Sequence, residues 1–236
     1  MDGFFRLHDD LPREGPGCEA DVAWAVSLAG AADANLVLDA GAGPGGDVAA
    51  LRKAMPAAQV IAVDSHAPFI DRLGARYGND PKVTGIAGDM MAQSGPFDLI
   101  WCAGAIYFVG VTEALRAWRG CLAPGGHVAF SQACLFHPDP PKAVETLFEG
   151  YPVTDADGIK AQIDAAGFRV IGSKRVPDAA WEAYYQPQEA RIAMLGQSGN
   201  IDPGLQAAIA EAEQEIAIWR AHRNDFGYQL FVVETV

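Results

Sequence analysis

Apolar positions along this chain recur with two different periods, and the alternation between them predicts its organisation. From Glu19 to Ala32, Val22, Ala25, Val26 and Ala29 fall three or four residues apart, the spacing of one helix face. Residues 35–40 form instead a short apolar run ending in glycines, as a strand buried on both sides does. A helix near 46–54 follows, then a second buried strand over Gln59–Val63. Pro68 opens a helical stretch containing Phe69, Ile70, Leu73 and Tyr77, and a first turn is where a helix accepts proline. Lys82–Ala87 and Phe97–Cys102 read as the third and fourth strands, Val111–Leu122 as a helix, Pro124–Gly126 as a turn and His127–Gln132 as the fifth strand. Strand and helix alternating over residues 20–132 predict an α/β fold: a parallel, doubly wound sheet with helices on both faces.

The last third is less regular. Asp155–Ala166 reads as a helix closed by Gly167, and Phe168–Val176 as a strand. Residues 178–195 are helical and carry Trp181, Tyr184 and Tyr185, while Leu205–Arg223 repeats apolar residues at amphipathic spacing. Gln229–Glu234 reads as a final strand. A length of 236 residues suits one domain with a full core. It divides into an N-terminal arm or lid (1–18, with Pro12, Gly15 and Pro16), a ligand-binding core (19–132), and a region of acceptor-side helices and final strands (133–236).

Charge narrows the partners. A formal net charge of −13 repels phosphate backbones and anionic membranes, so nucleic acid is not expected as a partner. Arg220, His222 and Arg223 form the one dense basic group, at a helix end where cations suit the dipole. Cys18, Cys102, Cys121 and Cys134 make no C-x-x-C pair, which argues against a zinc site and a disulfide framework and fits a reducing cytoplasm. No secretory leader, membrane span or metal is expected. A homodimer is left open.

The chemistry concentrates around Gly41-x-Gly43-x-x-Gly46, between the first strand and a helix. Glycine there permits a sharp turn and lets a ligand approach backbone that a Cβ would shield. The same pattern matches a dinucleotide site, so three acids sharpen the choice. Asp39 precedes the turn and can accept from an ammonium; Asp64 closes the second strand and can accept both hydroxyls of a ribose; Asp89 follows the third strand and can accept from an adenine amino group.

At these residues the chain resembles class I S-adenosylmethionine (SAM)-dependent methyltransferases, of an uncharacterised bacterial, small-molecule type. Val37-Leu-Asp-Ala-Gly-Ala-Gly-Pro-Gly-Gly46 is similar to their first motif, Val60–Asp64 to their second and Gly88-Asp89-Met90 to their adenine-contacting motif. Phe97–Cys102 and Leu122–Val128 are similar to their fourth strand and to the turn into their fifth. The resemblance covers about residues 19–132 and implies a Rossmann-like sheet of seven strands, mostly parallel, with an antiparallel last strand that Gln229–Glu234 could supply. It implies SAM as cofactor and S-adenosylhomocysteine as product. Asp39, Gly41, Ala42, Gly43 and Gly46 would then lie at the methionine part, Asp64 and Ser65 at the ribose, Asp89 and Met90 at the adenine, with Ala103 beside them. Arg13, in Arg13-Glu-Gly-Pro-Gly17, would lie near the SAM carboxylate or the acceptor.

Methyl transfer from a sulfonium is an in-line displacement, so a base is needed only where the acceptor must lose a proton. Tyr107 and His8 are the candidates, and no N-P-P-Y-like motif follows the fourth strand. Tyr107, Trp181, Tyr184 and Tyr185 could wall a small, partly apolar acceptor. The expected reaction is methylation of a small molecule. Alternatives are a protein or RNA methyltransferase, a non-catalytic SAM-binding protein, and an NAD-dependent oxidoreductase, which would leave Asp39 and Asp89 without a role.

Overall fold

The continuous apolar runs become the inner strands of one sheet. The computed structural model describes residues 3–148, 150–198 and 201–236. In chain order the elements are α1 (Gly3–Leu7), α2 (Glu19–Ala29), β1 (Leu36–Ala40), α3 (Val48–Ala54), β2 (Gln59–Asp64), α4 (Ala67–Tyr77), β3 (Val83–Ala87), β4 (Phe97–Ala103), α5 (Val111–Arg119) and β5 (Leu122–Leu135). They continue with α6 (Lys142–Leu147), β6 (Thr154–Asp155), α7 (Ala156–Ala165), β7 (Phe168–Arg175), α8 (Asp178–Ser198), α9 (Pro203–His222) and β8 (Phe226–Thr235).

The sheet runs β3-β2-β1-β4-β5-β8-β7, and the two-residue β6 pairs with the end of β5. The strands from β3 to β5 pair in parallel, and β8 lies antiparallel to both β5 and β7. The expected α/β architecture, mostly parallel with an antiparallel last strand, is thus present. Strand order reverses between β1 and β4, and sheets of this kind bind ligands outside the strand ends at that reversal.

Alternation along the strands fills both faces. Trp101 joins Val22, Val26, Leu51, Met55 and Trp219 on one side. Its neighbours Ile100 and Cys102 join Leu115, Trp118, Phe130 and Phe231 on the other. Each fully buried large apolar side chain stabilises the fold by about 1.5–3 kcal/mol.

Three boundaries differ from the hydrophobic pattern, each for a local reason. α2 stops at Ala29, not Ala32, because Gly30 takes a left-handed conformation (φ 61°) whose N–H closes the helix end. α5 ends at Arg119, short of Leu122, which already pairs with Phe97 as the start of β5. The Pro124–Gly126 segment is therefore a kink inside β5, with a register shift opposite Phe97–Leu99. The arm is also more than a polar loop. Leu7, His8 and Leu11 are buried, and α1 packs on the start of α9, where a Cβ at Gly3 would collide with the Gly204 carbonyl.

Candidate active site

The turn after β1 is pinned by its own backbone. The N–H groups of Gly41 and Ala42 both donate to the Val63 carbonyl at 2.9 Å, which ties the turn to β2. Gly41, Gly43 and Gly45 have φ of 75°, 53° and 85°, a region that side-chain-bearing residues rarely enter. A Cβ on Gly41 would also collide with the Ala105 methyl, and the Met90 sulfur lies 3.7 Å from that position. Gly46 is needed for a different reason. Its torsion is ordinary, but a Cβ there would come 2.7 Å from Cβ of Arg13.

Four charged groups surround this turn. Asp64 accepts from Gly43 N–H and His66 N–H, both at 2.8 Å, so it braces the turn from the end of β2. Asp47, inside the glycine run, accepts from the Trp101 indole at 3.0 Å and from Arg13 Nη2 at 3.1 Å. Arg13 also donates to the carbonyls of Gly15 and Gly17, which folds the arm around its guanidinium. Asp39 is 3% exposed, and its Oδ2 has no protein partner. Burial, reinforced by the charges of Asp47 and Asp64, pushes its carboxyl well above the usual range, and Arg13 opposes this only in part. An unpartnered buried acceptor of this kind costs about 1–3 kcal/mol. A ligand that brings a donor or a positive charge relieves it.

The other strand-end residues lie along the same edge. Asp89 is exposed and accepts from Met91 N–H at 2.8 Å, capping a short 3-10 turn over Met90–Ala92 that directs Met90 toward Gly41. Ser65 is exposed just beyond β2, and Ala103 is half-buried at the end of β4. The structure therefore brings the sequence-predicted cofactor residues to one edge, the carboxyl ends of β1 to β4, with Arg13 reaching them from the arm.

A second group gathers beside this edge. The Nδ1 of buried His8 lies 2.6 Å from Glu14 Oε2, and its ring stacks on Phe4. Glu14 itself lies over Gly43, its Cγ 3.1 Å from where a Cβ would be. Tyr107 sits in a 3-10 turn after β4, edge-on to Tyr151; burial pushes its phenol up to about 12. Tyr228 at the start of β8 lies against Gly104, 3.2 Å from its would-be Cβ, and its hydroxyl is also raised by burial. Trp181 stacks on Trp219 and meets Tyr228 edge-on, and Tyr185 donates to Glu215 Oε1 at 3.0 Å. Trp181 and Tyr185 are thus core residues, whereas Tyr184 is half-buried. Its hydroxyl is raised by burial and then by Glu215 and Glu14.

Sequence reasoning missed Glu14, Asp47, Glu215 and Tyr228. Asp47 stood inside the glycine run and Glu14 beside Arg13, so proximity in the chain could have flagged both. Tyr228 lies more than a hundred residues from the strand end it covers, and Glu215 only flanks the apolar stripe of α9. Neither carries a local signal.

Residues 37–126 match the family model of the methyltransferase domain. No curated protein matches the chain at a significant level. Among solved structures, a SAM-dependent methyltransferase from Geobacter sulfurreducens in complex with S-adenosylhomocysteine aligns with a TM-score of 0.85 at 16% identity, covering 99% of this chain and 98% of that one. One from Thiobacillus denitrificans, also with S-adenosylhomocysteine, aligns at 0.85 and 17% identity, covering 100% of both chains. Phosphoethanolamine N-methyltransferase 2 of Haemonchus contortus, in complex with phosphomonomethylethanolamine and S-adenosylhomocysteine, aligns at 0.71 and 15% identity, covering 94% of this chain and 53% of that one. At these identities the structural likenesses speak for the fold, and the matched domain covers residues 37–126. Residues 37–126 thus match a methyltransferase domain, within a chain that has the fold of SAM-dependent methyltransferases. The unpartnered Oδ2 of Asp39, beside a turn with no room for side chains, suits a cationic ligand.

Proposed function

We propose that this chain methylates a small molecule. The observation that carries the reading is the wall beside the glycine turn. His8, Glu14, Tyr184, Glu215 and Tyr228 come from the arm, α8, α9 and β8, and the arm covers the turn at Gly43 and Gly46. Such an aromatic and acidic wall suits a compact acceptor and not a phosphate-bearing polymer. The Haemonchus protein, seen with a small phosphorylated amine, is a precedent for this fold.

On this reading each residue has a task. Gly41, Ala42, Gly43 and Gly46 admit the methionine part of the cofactor, and Asp39 faces its ammonium. Asp64 and Ser65 hold the ribose, Asp89 and Met90 the adenine, and Ala103 floors the site. Arg13 holds the arm over the turn through Asp47. SAM supplies a methyl group already activated on a sulfonium, so the protein's share is orientation and exclusion of water. Tyr107 stays protonated at neutral pH and orients the acceptor as a donor, with Trp181, Tyr184 and Tyr185 behind it. His8 is the better base. Its Nδ1 faces the Glu14 carboxylate at 2.6 Å, which orients the ring.

Two measurements test this. Calorimetric titration with SAM, S-adenosylhomocysteine and NAD should give saturable binding of the first two; binding of NAD alone would overturn the cofactor assignment. A screen with methyl-labelled SAM against a metabolite panel should label a small molecule. Label entering only protein or RNA would overturn the acceptor class.

A further inference from the structure

From the surroundings of Glu215 we infer that the acceptor is an amine, held with its nitrogen between Glu215 and the rings of Tyr107, Tyr184 and Tyr228; this rests on the small-molecule reading above. Glu215 is a part-buried acid that accepts from the Tyr185 hydroxyl at 3.0 Å; burial raises its carboxyl, and the Tyr185 bond and then His8 oppose that rise, as a ligand cation would. Tyr184, Tyr107 and Tyr228 all lie within its electrostatic reach. Among the described residues, His8 is the one titratable cation-forming group that offsets it. A carboxylate among aromatic faces, with no lysine or arginine to neutralise it, is the arrangement that recognises an organic ammonium, through charge and through the rings' negative faces. The same arrangement repels a carboxylate or phenolate acceptor.

A buried polar group points the same way. Ser131 is 2% exposed with an unpartnered Oγ, and its pairing with Leu230 puts it on the same sheet face as Tyr228. Unsatisfied groups this deep are rare in native folds and mark places where a partner belongs. The wall also touches the reacting end of the site, since Tyr228 covers Gly104 next to Ala103 and Glu14 covers Gly43.

The charge balance of the reaction fits this lining. The acceptor enters as an ammonium and loses a proton to His8 or to water. Its nitrogen lone pair then forms the new N–C bond while the S–C bond breaks, and that electron pair stays on sulfur as a neutral thioether. Positive charge therefore moves from sulfur to nitrogen. A carboxylate facing the nitrogen stabilises the charge where it arrives.

The test uses the full chain with methyl-labelled SAM and size-matched primary, secondary and tertiary amines, phenols, thiols and carboxylic acids. Turnover should be confined to amines. Glu215→Gln keeps the shape and a partner for Tyr185, and should raise KM for the amine about tenfold or more while KM for SAM stays unchanged. Tyr184→Leu, a second variant at a half-buried position, should raise KM for the amine about threefold or more. Turnover of a phenol, thiol or acid in preference to every amine would overturn the proposal, as would no amine turnover, or an unchanged KM for the amine in Glu215→Gln. S-adenosylhomocysteine binding is measured on every variant. Its loss in the parent chain would strike the methyltransferase reading, and its retention with a failed amine test strikes this proposal alone.

Discussion

The two halves of the site are assembled in different ways. On the proposed cofactor side, each residue follows directly from a strand: Asp39 and the glycines from β1, Asp64 from β2, Asp89 and Met90 after β3, Ala103 from β4. They are held mainly by backbone hydrogen bonds, so the sheet itself positions them. On the proposed acceptor side, Glu14, Tyr107, Tyr184, Glu215 and Tyr228 come from five separate segments of the chain. A half built on backbone tolerates little change. A half built on side chains from helices and an arm can be rebuilt without disturbing the sheet. The contrast explains how one fold serves many acceptors.

Substitutions on each side should break or sharpen that contrast. The largest effect is expected at Gly41→Ala, where a left-handed torsion meets a clash with Ala105. Together these should cost about 2–4 kcal/mol and weaken SAM about a hundredfold or more, read by thermal melting and titration. Asp64→Ala should weaken SAM roughly ten- to a hundredfold, the worth of a charge-assisted hydrogen bond of about 1.5–3 kcal/mol. Unchanged affinity would remove Asp64 from the ribose.

Asp39→Asn should act in two directions. It removes a buried charge without a partner and should stabilise the unliganded protein by about 1 kcal/mol, yet weaken SAM about tenfold. The pH dependence follows from the raised carboxyl. The folded protein holds this proton to higher pH than the unfolded chain, so the carboxyl's contribution to stability is present below the unfolded value of 3.8. It is lost as pH rises through the higher folded value. Unfolding titrations at stepped pH should show that slope in the parent chain and not in Asp39→Asn. SAM affinity should fall as pH drops through the same window, because the proton displaces the charge that faces the ammonium.

The smallest effect is expected on the acceptor side. With its phenol raised to about 12, Tyr107 is no base at neutral pH. Tyr107→Phe should change kcat by no more than about threefold, the scale of one neutral hydrogen bond of roughly 0.5–1 kcal/mol, and leave the pH profile in place. A profile that shifts would return Tyr107 to the chemistry.

Legibility in the sequence follows the same division. The parallel strands stand out because burial on both faces demands unbroken apolar runs, as in Val60–Val63 and Leu99–Cys102. The glycine turn stands out because few residues can replace Gly41 or Gly43. Ends governed by one torsion or one pairing were less visible, as at Gly30 and Leu122. The aromatic trio of α8 was visible, but not its division into core (Trp181, Tyr185) and site edge (Tyr184), which depends on where Trp219 and Tyr228 arrive. Glu215 has the composition of any solvated helix face. Only the packing of α9 turns it inward.

The arm lies across the glycine turn and is tied down on both sides. Arg13 bonds Asp47 and crowds Gly46, while Glu14 lies over Gly43. Arg72 pairs with Asp9 and Glu14, and Arg6 with Asp202. Because Asp47 also holds the Trp101 indole, one carboxylate links the arm to β4. A change at Asp47 is therefore felt at both ends, in the arm and in the sheet.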